Sequence, residues 1–156
     1  MLEGARHLQN IHPLVIHFPI AFLNGATLFY FVAWIFKKDD FAKTAFWLLI
    51  VGMLSSVVSV ATGLYAEQGV MVALSVREHL LEPHKNFMIG TLGVSVILTV
   101  WAALARPFPK KGRVLFLFLL LAMIGLMTIG ADFGGRLVYD YNAGGNACHQ
   151  PIQFIK

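Results

Sequence analysis

Val114-Leu115-Phe116-Leu117-Phe118-Leu119-Leu120-Leu121-Ala122-Met123-Ile124-Gly125-Leu126-Met127-Thr128-Ile129-Gly130-Ala131 runs without a single charged side chain. A hydrocarbon core of roughly 30 Å takes about 20 helical residues to cross, and this stretch is close to that length. Three more apolar stretches, at about 13–36, 42–66 and 87–105, have the same character. They are continuous and do not alternate apolar with polar, so they read as helices and not as barrel strands, because lipid leaves no other way to satisfy the backbone. The composition agrees. Of the 156 residues 58% are hydrophobic and only 13% charged, and the mean hydropathy of +0.71 is too high for an ordinary soluble domain. The sequence therefore predicts an all-α, four-helix transmembrane bundle as a single membrane domain over residues 1–156. An interfacial segment separates spans two and three, and residues 132–156 form a tail. The first span is expected to be retained, because it is long for a signal peptide and is followed by Lys37 and Lys38 and not by a small-residue cleavage site.

Seven of the twelve Lys and Arg residues occupy two short loops: Lys37, Lys38 and Lys43 between spans one and two, and Arg106, Lys110, Lys111 and Arg113 between spans three and four. The positive-inside rule places those loops in the cytoplasm and both termini outside, as in a multi-pass protein of a bacterial inner membrane. The net charge of +4 is accounted for by this asymmetry, and no basic-aromatic surface points to nucleic acid.

All six histidines then fall on the outer side. His12 and His17 open span one, His79 and His84 lead into span three, and His7 and His149 lie near the termini. Ionisable groups at the edge of a membrane core are costly and usually face the bundle interior. A separation of five residues turns a helix by about 140°, so the two members of a His-x4-His pair cannot both aim at one centre. His17 shares a face with Asn24, and His84 heads the stripe Met88, Thr91, Ser95 and Thr99. That pairing points to His17 and His84 as axial ligands of a b-type haem, with His12 and His79 nearby as second-shell groups or alternative ligands. The alternative is a copper or zinc site built from His12, His17, His79 and His84.

Gly52, Ser55, Ser56, Ser59, Thr62 and Gly63 recur at helical spacing in span two, and Gly125, Thr128 and Asp132 continue such a stripe in span four, as close helix packing requires. The connection from Glu67 to Pro83 is expected to lie at the interface, with Val70, Leu74 and Leu81 on its apolar side. Gly134-Gly135-Arg136-Leu137-Val138-Tyr139 is expected to form a turn into the tail. Cys148 is the only cysteine, which excludes an intramolecular disulfide and a c-type haem attachment, and its neighbour His149 is expected to be solvated. Each half of the chain begins with His-x4-His and continues as two spans joined by a basic loop, the pattern of a parallel repeat.

Asn10-Ile11-His12-Pro13-Leu14-Val15-Ile16-His17-Phe18-Pro19-Ile20-Ala21, together with Ala61-Thr62-Gly63-Leu64, His84-Lys85 and Gly134-Gly135-Arg136-Leu137-Val138-Tyr139, resembles a bacterial family of four-span inner-membrane proteins, the domain of unknown function 2231. The likeness covers nearly the whole chain. Some related chains are joined to cytochrome c modules, which implies electron transfer.

Three functions follow as expectations. The chain is a haem-binding subunit passing electrons between the quinone pool and an extracytoplasmic partner such as a cytochrome c, or a copper- or zinc-binding membrane protein, or a structural subunit of a larger membrane complex. Each makes it an electron-transfer or accessory subunit in contact with lipid more than a stand-alone enzyme. The buried serines are distant from the histidines, and no Gly-rich turn joins a strand to a helix and Lys, so neither a Ser-His nucleophile nor a phosphate loop is expected.

Overall fold

The computed structural model describes residues 11–143. Every regular element in that range is helical: α1 (His12–Val15), α2 (His17–Phe36), α3 (Asp39–Glu67), α4 (Leu74–Val76), a π-helical turn (Arg77–Leu81), α5 (Glu82–Ala105) and α6 (Arg113–Tyr139). His12–Phe36, Asp39–Glu67, Leu74–Ala105 and Arg113–Tyr139 are each long and apolar enough to cross a membrane. The helices pack as two hairpins, α2 along α3 and α5 along α6. Contact between α3 and α5 joins the hairpins, and α2 and α6 touch more lightly. α2 and α5 thus stand diagonally across the bundle, as do α3 and α6.

Prolines set the breaks. Pro13 occupies the first turn of α1, where its missing N–H leaves no bond unmade. Pro19 cannot donate to the Val15 carbonyl and its ring crowds that group, so α1 and α2 part at Ile16. Pro83 would crowd the His79 carbonyl in the same way. There the chain widens into the π-helical turn, closed by the Glu82 N–H on the Arg77 carbonyl five residues back. At the opposite end Lys37, in the left-handed region at φ 54°, closes α2. Gly112 at φ 74° opens α6, a backbone conformation for which glycine carries no steric penalty.

The main core lies in the half of the bundle nearest the two basic loops. Leu23, Ala26, Tyr30, Ala45, Leu49, Leu98, Ala102, Phe116, Leu120 and Met123 are all fully buried there. The Tyr30 ring meets Phe116 edge-on at 5.0 Å and Phe108 at 5.1 Å, and its hydroxyl donates to the Pro107 carbonyl at 3.1 Å, tying the α5–α6 loop to the bundle. Toward the histidine end the buried lining changes to Ser56, Ser59, Thr91, Ser95 and Gly130. Ser56, Thr91 and Thr99 give their protons to carbonyls of their own helices four residues back, so this half stays narrow and polar without unsatisfied donors at those positions.

Three sequence expectations are corrected. The chain does not turn at Gly134-Gly135, because α6 continues to Tyr139. Two glycines cost a helix about 1 kcal/mol each relative to alanine, but Leu137 beyond them is buried against Leu80 and Leu81, and that packing carries the helix through. Gly125, Thr128 and Asp132 are exposed, and the buried face of α6 is instead Met123, Met127, Gly130 and Leu137. In the connection, Val70 and Leu81 do join an apolar cluster over the bundle end, whereas Leu74 is 70% exposed and Leu80 takes its place. The π-helical turn shifts the register, so a face drawn on a regular helix picks the wrong leucine.

Candidate functional site

His12 and His84 are both half-buried at the histidine end, each against a helix of the following span, and a similar local construction holds each of them. His12 Nδ1 lies 3.2 Å from Thr62 Oγ1. The Thr62 hydroxyl gives its own proton to the Ser59 carbonyl at 3.0 Å, so it accepts from His12. His84 Nδ1 lies 2.7 Å from the Gly130 carbonyl, which can only accept. The hydrogen-bond network therefore assigns both neutral rings the tautomer protonated at Nδ1, with the basic lone pair on Nε2.

Each imidazole lies on a glycine. A Cβ on Gly63 would sit 2.9 Å from His12 Cε1, and one on Gly134 would sit 2.7 Å from His84 Cε1. The acceptors are placed similarly: His84 reaches the Gly130 carbonyl four residues before Gly134, and His12 reaches the Thr62 hydroxyl, which is itself bonded to the Ser59 carbonyl four residues before Gly63. His12 and Gly63 are 51 positions apart, and His84 and Gly134 are 50 apart. The parallel repeat is thus visible as two copies of one unit, a histidine opening the first helix of a hairpin and docked on a small-xxx-glycine step near the end of the second. Gly130 also admits the α5 backbone closely, since a Cβ there would collide with Met88 and lie 2.9 Å from Phe87 Cβ. The Phe87 and Phe133 rings stack beside it at 5.9 Å.

His17 and His79 lie elsewhere. His17 is exposed at the start of α2, beyond the break at Ile16. Asn24 does share its face, but that face points outward, and the amide donates to the Ile20 carbonyl. His79 is exposed in the π-helical turn with Nδ1 2.8 Å from the Ser75 carbonyl. The two histidines that the fold turns into the bundle are therefore His12 and His84. The near-equal spacing of each histidine to a glycine near the end of the following span was the sequence signal for them. His7, Cys148 and His149 lie outside the described residues.

A charged clamp covers this end. Glu67, at the end of α3, accepts from Arg77 at 2.9 Å and from Lys85 at 3.2 Å, and Lys85 also donates to Glu82 at 2.9 Å. Two cations balance two carboxylates, and together they tie α3 to the π-helical turn and to α5. Among the described residues one buried side-chain polar atom has no hydrogen-bond partner, Ser59 Oγ, one turn from Thr62. Among the described residues no group of three or more His, Cys, Asp or Glu converges. A tetrahedral zinc site takes three or four protein ligands, whereas a haem brings four nitrogens of its own and takes two.

Four apolar helices in two hairpins, with paired imidazoles at one end, define a four-span membrane protein. The chain belongs to the DUF2231 family, described as predicted membrane protein, whose model matches residues 8–147. No match was found among curated proteins or among solved structures.

Proposed function

We propose that this protein is a membrane electron-transfer subunit in which His12 and His84 are the axial ligands of a b-type haem. The observation that carries the reading is the equivalence of the two imidazoles, one on α1 ahead of α2 and one at the start of α5, each fixed through Nδ1 on a backbone or hydroxyl acceptor of the following span. Such an outer hydrogen bond orients a histidine ligand and raises the basicity of its other nitrogen. When bound, the haem supplies a one-electron redox couple. Thr62 and Gly130 hold the ring planes, Gly63 and Gly134 keep side chains out of the space the rings occupy, and the Glu67–Arg77–Lys85 clamp holds the ends of α3 and α5 in register above them. The electron donor in this reading is the quinone pool and the acceptor an extracytoplasmic redox protein such as a cytochrome c.

The same proposal sets the protein in a bacterial inner membrane with its two basic loops in the cytoplasm and the histidine end outside, on the charge asymmetry between the loops. Cys148, the one cysteine, reports that orientation. A membrane-impermeant maleimide is expected to label it in intact spheroplasts, and labelling only after lysis would reverse the topology.

The test of the haem is a reduced-minus-oxidised absorption spectrum of the purified protein, expressed with ample haem. A sharp b-type α-band that is lost in His12→Ala and in His84→Ala, and kept in His17→Ala and His79→Ala, supports the reading. A featureless spectrum sinks it and assigns the two imidazoles to interlocking helices alone.

A further inference from the structure

The opposite end of the bundle carries a groove of about 370 Å³ lined by Trp101, Leu104, Ala105, Pro109, Lys110 and Lys111. We propose that it binds one anionic phospholipid, with the lysines on the phosphodiester and the last turn of α5 against the first part of an acyl chain.

Charge is the first argument. The segment from Arg106 to Arg113 has four cations and no carboxylate. Arg113 is engaged locally, its guanidinium 4.7 Å from the centre of the Phe108 ring and its Nε donating to the Pro109 carbonyl at 3.1 Å. Lys110 and Lys111 are exposed, and neither has an ion-pair partner among the described residues, unlike Lys43 with Asp40 or Lys85 with Glu67 and Glu82. In the other basic loop, Asp39 and Asp40 stand among Lys37, Lys38 and Lys43, with Asp40 paired to Lys43, so two carboxylates leave an excess of one cation there against four in the segment from Arg106 to Arg113. An anion is therefore drawn more strongly to the latter.

The second argument is the shape and chemistry of the wall. Leu104 is 80% exposed at the end of a helix long and apolar enough to span a membrane, so the groove continues from the lysines onto a lipid-facing surface. A free phosphate satisfies the lysines alone, whereas a phospholipid satisfies both parts. Trp101, of the residue type enriched where headgroups meet hydrocarbon, is held in place from both sides. Phe116 packs edge-on at 5.5 Å, and Gly112 comes so close that a Cβ there would lie 2.9 Å from Trp101 Cζ2. The wall is thus formed before the lipid arrives.

Native mass spectrometry of the full chain from detergent, offered equimolar phosphatidylglycerol and phosphatidylcholine, tests the proposal. The expected result is preferential retention of one phosphatidylglycerol. Each lysine near a lipid surface contributes an attraction that corresponds to roughly fivefold in affinity, so Lys110→Gln with Lys111→Gln should cut retention more than tenfold, while Lys37→Gln with Lys38→Gln should leave it nearly unchanged. Equal retention of the two lipids by the wild-type chain overturns the proposal. So does displacement of phosphatidylglycerol by millimolar inorganic phosphate, which identifies a free-anion site. The wild-type competition decides the matter even if the double variant fails to fold, and Lys111→Gln alone then supplies the mutational arm.

Discussion

The His84 imidazole donates from Nδ1 to the Gly130 carbonyl across 2.7 Å, linking the first turn of α5 to α6. A mid-helix carbonyl already accepts the bond of its own helix, so this second acceptance needs the donor close and well aimed. Gly134, one turn on, makes the approach available because it has no side chain where the ring lies. The bond fixes the ring plane, the tautomer and the side of the bundle to which Nε2 belongs.

Adding a methyl group beneath either ring should displace it without unfolding the protein. A Cβ on Gly134 would lie 2.7 Å from His84 Cε1 and 2.9 Å from Nδ1, and one on Gly63 2.9 Å from His12 Cε1. Gly134→Ala and Gly63→Ala are each expected to weaken haem retention about 10- to 100-fold, the usual effect of losing the outer support of a ligand. Haem titration of purified protein measures this. Gly90→Ala and Gly93→Ala, where a Cβ meets nothing within 4 Å, should leave retention unchanged and raise helix stability by up to about 1 kcal/mol.

Gly52 and Leu23 form a tight contact between α3 and α2. A Cβ on Gly52 would lie 2.6 Å from Leu23 Cδ2 and 3.2 Å from its backbone nitrogen. Gly52→Ala should destabilise the bundle by about 1–3 kcal/mol through overpacking. In a Leu23→Ala background most of that cost should vanish, giving a coupling of about 1 kcal/mol or more in a double-mutant cycle followed by unfolding in mixed micelles. Additive effects would contradict the contact.

Tyr30→Phe removes the bond to the Pro107 carbonyl while leaving the ring against Phe116 and Phe108. The expected loss is about 1 kcal/mol of stability. Limited proteolysis should show faster cleavage within residues 106–112, with no change at the histidine end.

Glu67→Gln removes the charge that Arg77 and Lys85 share. Glu67 is 19% exposed in its side chain, and Arg77 35%, so the pairs are partly screened and the cost should be about 1 kcal/mol or less. The difference from the wild type should shrink in about 1 M salt, where the screening length is roughly 3 Å. A gap that does not change with salt would mean that packing, and not charge, holds this end.

The four spans were legible because each depends on a sum over many residues. The Val114–Ala131 run decides for a helix whatever its neighbours do, since lipid leaves the backbone no other partner. The edges were not legible in the same way. Gly134 and Gly135 looked like a stop, and α6 passes through them because Leu137 has Leu80 and Leu81 to pack against.

The sequence by itself determined a four-span helical membrane protein with a basic end and a histidine end, because hydropathy and charge count are properties of composition and order. Only the tertiary structure decided that the half-buried, inward histidines are His12 and His84 and that His17 and His79 are exposed. The reason is rotational. Pro19 sets the break between α1 and α2, Pro83 sets the π-helical turn, and each break resets which side of the helix a residue occupies. A glycine contributed by a different helix then determines which imidazole has room to turn inward. Both are relations between segments tens of residues apart, which no helical period within one segment contains.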